Sequence, residues 1–338
     1  MDGVPSAFFE RLCATLYPYS LNRARNLSGI FGELAQIARR HTSHYVTNVK
    51  DGEERGFFLF YRCTGRQVII PEEIDAAPKK FVRYVSIHLR DAEKVTVCRE
   101  IVRRYPYAEY DFVIHCSAIN EDWIHLACQL KSLRCLAIRT KLDDNAIPVL
   151  QKLADGRKLA FLHMDEEVCE SGILKVVKSL LCQVQFIALE FTNETDGSWH
   201  SDVVREILEF WSENSEHLKG KQFFFHGENC EGGVQQVEEF MTKRTPLGGQ
   251  LPLKICSNEE CDFIHKEYTQ SSVIFVKPSC MYKYDEGEGD ERRRLYISFE
   301  CANEDERRIG KRNLLAGHNG HDDVGLMRAT NLLCVLFS

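Results

Sequence analysis

The feature that most constrains this chain is a spacing that keeps returning. In "LRCLAIRT", residues 133–140, apolar side chains stand at Leu133, Leu136 and Ile138. The same interval recurs at Val82-Val85-Ile87, Leu159-Leu162-Met164 and Val184-Ile187-Leu189. Each set lies in a short apolar run that reads as a strand: "VRYVSIHL", "LRCLAIRT", "KLAFLHM" and "VQFIALEF". Two further runs, "YDFVIHC" and "KQFFFHG", belong to the same series, although Phe112 and Ile114 of the former compete with Val113 for the inward face. Between the strands lie segments with helical stripes, such as Val95, Cys98 and Ile101, or Val203, Ile207 and Trp211.

Alternating strands and helices build either a doubly wound sheet or a repeat array. Leu136 and Leu162 are about 26 residues apart, and Leu162 and Ile187 about 25, inside the range of leucine-rich repeats. No strand-to-helix turn carries a glycine-rich phosphate loop. Both points favour an α/β fold built as an irregular leucine-rich-repeat-like solenoid with parallel strands over residues 82–245.

Four other regions flank it. Residues 1–45 show two helical stripes, Phe8, Phe9, Leu12, Cys13 and Leu16, then Leu27, Ile30, Phe31, Leu34 and Ala38. A connector containing Pro18 is expected between them. So small a head cannot bury enough surface to stand alone, and should dock on something. Residues 46–81 read as a short antiparallel meander, with strand runs "SHYVTNV", "RGFFLFYR" and "RQVII" around the turns "KDGEE" and "CTG". Residues 246–301 read as antiparallel hairpins made from "LPLKICS", "DFIHKEYT", "SVIFVKP" and "RRRLYISFE", the last two joined across the acidic tip "DEGEGDE". Residues 302–338 read as a disordered tail.

Composition narrows the function. With 44% apolar and 28% charged residues, the chain of 338 residues is globular in character. A net charge of −7 argues against nucleic acid as a partner. No apolar run is long enough for a membrane span. The opening residues lack the pattern of an export signal, so a cytoplasmic or nuclear location is expected. The 14 cysteines are then expected to be reduced core residues, with Cys98, Cys116, Cys128, Cys135 and Cys182 falling singly on strand and helix faces.

Chemical signatures are sparse. Cys256, Cys261 and His265, with Cys280 as the nearest fourth ligand, resemble half a zinc site with irregular spacing. Ordinary strand residues are the simpler reading. "GHNGHDD" gathers His318, His321, Asp322 and Asp323 in a glycine-rich stretch with nothing rigid to support a metal. "RRIGKRN" is basic, but "NEDE" precedes it and balances the charge. No zinc-protease, nucleophile-elbow, redox or P-loop motif occurs, so neither a catalytic residue nor a cofactor is expected.

The start of the chain, "MDGVPSAFFERLCATL" followed by "NLSGIFGELAQIARRH", resembles a large nematode family of F-box-like proteins with a divergent repeat region. Val4-Pro5 stands where an F-box usually has Leu-Pro, and His41 to Tyr45 where a tryptophan usually follows the second helix. The resemblance implies a non-enzymatic substrate receptor, whose head holds the Skp1-type adaptor of a cullin ubiquitin ligase while the repeats hold a protein target. Pro5, Phe8, Leu12, Leu16, Leu27 and Ile30 would then form the adaptor-facing or head-core surface. Strand alternation puts Tyr84, His88, Arg139, Phe161, His163, Phe186 and Glu190 on a concave partner-binding face. The alternatives are a repeat scaffold with no ligase role, and an enzyme or metal-binding protein.

Overall fold

Pro5 sets an extended backbone just ahead of the first helix, α1 (Ser6–Thr15). The computed structural model describes residues 4–16, 18–91, 95–169, 171–194, 197, 199–244, 252–268, 279–287, 292–300 and 324–338. The chain divides into two units, Met1–Arg134 and Cys135–Ser338, a division that falls inside the stretch read as one repeat array.

In the first unit, α1 is followed by α2 (Pro18–Ala24) and α3 (Ile30–His41). The connector expected at Pro18 is therefore a helix. Proline sits at its first position, where the missing N–H would have had no intrahelical partner in any case. Gly32 lies in the first turn of α3, where an added Cβ would come within 1.8 Å of the Leu27 carbonyl oxygen. Only glycine lets the "NLSG" turn fold so closely over the helix start. Cys13, Leu21, Ala24, Ala35 and Ala38 form the head core, with Leu16, Phe31, Leu34 and Phe81 packed against it. Leu27 and Ile30, expected in the buried stripe, are exposed because they precede or open α3.

The strands β1 (Ser43–Lys50), β2 (Glu53–Tyr61) and β3 (Gln67–Val68) form the meander, turning at Asp51-Gly52 with both residues at positive φ. It is continuous with β4 (Val82–Leu89) and β5 (Glu109–Ile114), because β1 pairs in parallel with β4, and β4 with β5. The order in this unit is β3-β2-β1-β4-β5. α4 (Pro71–Ala76), α5 (Thr96–Arg104) and α6 (Glu121–Gln129) complete it. Alternation buries Tyr45, Val49, Val85, Ile87, Phe112 and Ile114, along with Cys98 and Ile101 of α5 and Trp123 and Ala127 of α6. Phe112 and Ile114 win the inward face of "YDFVIHC", and Val113 points the other way.

The second unit takes up β6 (Leu133–Ile138), which begins at its boundary. Then follow α7 (Ala146–Asp155), β7 (Phe161–Asp165), α8 (Ser171–Leu181), β8 (Ala188–Asn193), α9 (Val203–Leu218), β9 (Gln222–Gly227) and α10 (Glu231–Lys243). β6 to β9 are parallel neighbours in chain order, and each of the helices α7 to α10 packs on the next. Leu136 sits beside Leu162, as the spacing predicts. The next step is corrected: Leu162 pairs with Leu189, not Ile187. The buried set on β8 and the turn before it is Phe186, Leu189 and Phe191, while Val184 is 97% exposed. On β9 the core takes Phe223 and Phe225, while Phe224, beside Glu190, turns to the other face.

The physical reason for the slip lies in the turn before β8. Lys221 is buried, and its ammonium donates to the carbonyl oxygens of Gln183 at 2.6 Å and Phe186 at 2.7 Å. Those bonds hold residues 183–186 in a turn, so the strand starts later than the apolar run suggests. At the far end of β9, Gly227 has φ +146° and lies so near β8 that a Cβ would sit 1.8 Å from the Asn193 carbonyl oxygen.

The C-terminal part contains β10 (Lys254–Ile255), α11 (Asn258–Tyr268), β11 (Ser279–Glu286), β12 (Arg293–Glu300) and β13 (Leu332–Phe337). "DFIHKEYT" is thus a helix rather than a strand. It closes a cluster of Cys256, Cys261, Ile264, Met281, Tyr296 and Leu336. "SVIFVKP" lies outside the described residues, and the strand opposite "RRRLYISFE" is β11. The stretch expected as a tail also needs correction. Its last strand, "LLCVLF", inserts between β12 and β9, antiparallel to both, giving the order β6-β7-β8-β9-β13-β12-β11-β10. Val335 and Phe337 are fully buried, a burial worth roughly 1.5–3 kcal/mol for each side chain.

Candidate interaction faces

Each strand of the second unit turns alternate residues away from α7–α10. The pairing register lines these up in rows: Ala137, His163, Glu190, Phe224 and Cys334 form one. Asp165, Thr192, His226 and Leu332 form the next. The rows meet in a polar network. Glu190 lies between two imidazoles, with Oε1 2.5 Å from His226 Nε2 and Oε2 3.2 Å from His163 Nδ1. His163 Nε2 is 2.8 Å from Thr192 Oγ1, which is 3.0 Å from Asp165 Oδ1. Arg139 ties off the far end, donating to Asp165 at 2.5 Å, Glu194 at 3.0 Å and Thr192 at 3.1 Å.

Burial alone would raise the Glu190 carboxyl, but the hydrogen bonds and charge of His163 and His226 outweigh it and hold the group at about 2. The protons can be counted. A neutral His163 with its proton on Nδ1, facing Glu190, must accept at Nε2, so Thr192 donates to it and Asp165 is left to Arg139. A protonated His163 donates at both nitrogens, which turns the Thr192 hydroxyl towards Asp165.

Hydroxyl, imidazole and carboxylate in sequence is also the connectivity of a nucleophilic relay. Thr192 is only 1% exposed and already carries Arg139, so no substrate reaches its oxygen in this arrangement. The network orders the face; it presents no nucleophile.

Of the residues the sequence nominates for this face, Arg139, His163 and Glu190 meet in the network. Phe161 is on the same side two residues before His163 and is half-buried. Phe186 is misplaced: it is 1% exposed and belongs to the core, because β8 begins only after it. Asp165, Thr192 and His226 were missed. Asp165 and Thr192 each stand two positions beyond a nominated residue, so the strand period would have found them.

Tyr84 and His88 belong to the first unit and sit on its corresponding strand face. Tyr84 is buried, with the guanidinium carbons of Arg62 and Arg134 at 4.8 Å and 5.4 Å from its ring centroid. His88 Nδ1 is 3.0 Å from His115 Nε2 with the rings nearly parallel, so one imidazole donates its N–H to the other. Beside them His44 is 2.8 Å from Ser86 Oγ. Burial first, then nearby Arg62 and Arg134, pushes His44 down to about 4, so it is neutral at pH 7.

The head offers an apolar surface. Phe8 is 56% exposed, Leu27 56% and Ile30 49%; Pro5 is exposed, while Leu12 and Leu16 are half-buried. Ile30, Leu34 and Ile37 follow helical spacing on α3, so their partly or largely exposed side chains share one stripe.

Among the described residues, no group of three or more His, Cys, Asp or Glu is placed to hold a metal ion. Cys256 and Cys261 are buried in the α11 cluster, and burial pushes the Cys256 thiol up to about 12. "GHNGHDD" and "RRIGKRN" lie outside the described residues. No described helix is long and apolar enough to cross a membrane. A scan of known protein families and a search of curated proteins both returned no match to this chain.

Proposed function

We propose that the protein is a non-enzymatic receptor: its helical head engages a Skp1-type adaptor, and its strand faces engage a protein target, within the cytoplasm or nucleus. One observation carries this reading. The head already has its own core in Cys13, Leu21, Ala24, Ala35 and Ala38, yet Phe8, Leu27 and Ile30 remain outside it and exposed. Large apolar side chains left outside a finished core fit a partner surface. The chain-order parallel strands of the second unit, backed by helices packed in succession, support a leucine-rich-repeat-like arrangement there. On that reading Arg139, Phe161, His163 and Glu190 face the target in the second unit and His88 does so in the first, where Tyr84 lies buried under Arg62 and Arg134 and supports the face.

A scaffold with no ligase role is the second reading, favoured by the packing of Phe81 into the head core, which already seats the head on its own unit. Co-expression with a Skp1-type adaptor and size-exclusion chromatography decides between them. The first reading expects a stable 1:1 complex that the double variant Phe8→Asp, Ile30→Asp abolishes while its circular dichroism stays unchanged. Wild-type protein that elutes alone with the adaptor in excess overturns it.

A further inference from the structure

Two arginines share the strand face of the first unit that carries Tyr84 and His88. The Arg62 guanidinium lies over the Tyr84 ring, and Arg90 Nε donates at 2.9 Å to Asn48, the strand neighbour of His88. They stand at opposite ends of β1: the Arg62 N–H donates to the Thr42 carbonyl oxygen, and the Arg90 N–H to that of Val49. An extended chain covers that interval in about 23 Å, at about 3.3 Å per residue. Between the two ends lies a half-buried apolar strip, Phe58 and Phe60 of β2, with Val46 of β1 opposite Phe58.

Charge on this face is unevenly matched. Its carboxylates beside Tyr84 and Ser86 are both met by Arg134, which pairs directly with Asp111 and lies 3.8 Å from Glu109. At the turn, Glu53 is taken by Arg55 at 3.0 Å. Arg62 and Arg90 are exposed, and neither has a carboxylate partner among the described residues. Residues 1–134 carry 19 Lys and Arg against 16 Asp and Glu, a net charge of +3 within a chain at −7. We infer that this face docks an extended acidic segment of a protein, whose carboxylates reach Arg62 and Arg90 while an apolar side chain between them covers Phe58 and Phe60. The inference rests on reading the strand faces as target surfaces, and gives that target its chemistry.

The two kinds of contact divide the work. Exposed ion pairs contribute little each and fade with salt, so the arginines orient the segment and exclude cationic ones. Affinity comes from covering aromatic surface, the usual anchor of an interface. His44, kept neutral chiefly by burial and then by Arg62 and Arg134, adds no charge that an acidic segment would have to satisfy. Nucleic acid fits poorly: two unpaired arginines neutralise few phosphates, and the remainder of the chain carries the negative excess.

The test uses full-length protein and two fluorescein-labelled peptides, GDESFSVSEDG, whose charged pairs are spaced to reach both arginines, and GKKSFSVSKKG, followed by fluorescence anisotropy. The acidic peptide should bind about tenfold more tightly than the basic one at low salt, and lose most of that margin at high salt. Arg62→Gln and Arg90→Gln should each weaken it about threefold, and Arg55→Gln, whose guanidinium already holds Glu53, by less than about twofold. The double reversal Arg62→Glu, Arg90→Glu should exchange the preference. No binding of the acidic peptide, equal affinity for the two, a preference untouched by the double reversal, or tighter binding of an oligothymidine of matching length overturns the assignment. A double reversal that fails to fold leaves the two glutamine variants to decide. Co-elution with a Skp1-type adaptor is read on the same proteins. Wild type that takes the peptide but no adaptor refutes the ligase reading alone, and wild type that takes the adaptor but no peptide refutes this inference alone.

Discussion

Glu190 is an acid-sensitive clasp of the second unit, and its contribution can be worked out. The carboxyl is held at about 2 in the folded protein against an ordinary 4.5. At about 1.4 kcal/mol per pH unit, and allowing for partial solvent screening of a face whose glutamate is 27% exposed, the clasp stabilises the unit by about 2–3 kcal/mol. The group's folded pKa is depressed, so this stability is fully present above the unfolded value of 4.5 and is lost as pH falls towards 2. The comparison is wild type against Glu190→Gln, which cannot ionise. Both are made on a Trp123→Phe background, so that the fluorescence of Trp199 and Trp211 reports on the second unit alone. Urea titrations near pH 5, 4 and 3 should show a gap of about 2–3 kcal/mol at the highest pH that closes steadily at the lower ones. Parallel pH dependence of the two proteins would refute the argument, since the clasp would then contribute nothing that ionisation controls.

Two further outcomes test the register. Leu189→Ala should cost about 2–5 kcal/mol in urea unfolding, and Val184→Ala less than about 0.5; equal costs would restore the alignment that puts Val184 inside. Lys221→Met should cost about 1–3 kcal/mol in the same assay, because the carbonyls of Gln183 and Phe186 lose their buried donor; an unchanged midpoint would show that the ammonium does not hold this turn.

What could be read in the chain depended on how local the cause was. "VRYVSIHL" coincides with β4, and Leu136 meets Leu162, because a run of β-branched and apolar residues with turn signals on both sides carries its own strand preference. α11 was legible only in retrospect. Cys261, Ile264 and Tyr268 follow a helical spacing, but the segment is short, and its helix is stabilised by Met281, Tyr296 and Leu336, which come later in the chain. β13 was hidden for a related reason. "LLCVLF" is apolar enough to be a strand, yet its two neighbours are β9 and β12, both earlier in the chain, and nothing local announces them.

The candidate face follows the same division. Arg139, His163 and Glu190 could be named from the period of a strand, since alternation is a property of the backbone itself. That Glu190 sits between His163 and His226, and that Thr192 links His163 to Asp165, required the register between β7, β8 and β9. Composition and periodicity therefore determined, on their own, that strands and helices would alternate and which side chains could share a face. The tertiary structure decided which strands lie side by side and by how many residues they slide, because hydrogen bonds such as those of Lys221 join segments whose encounter no local preference encodes.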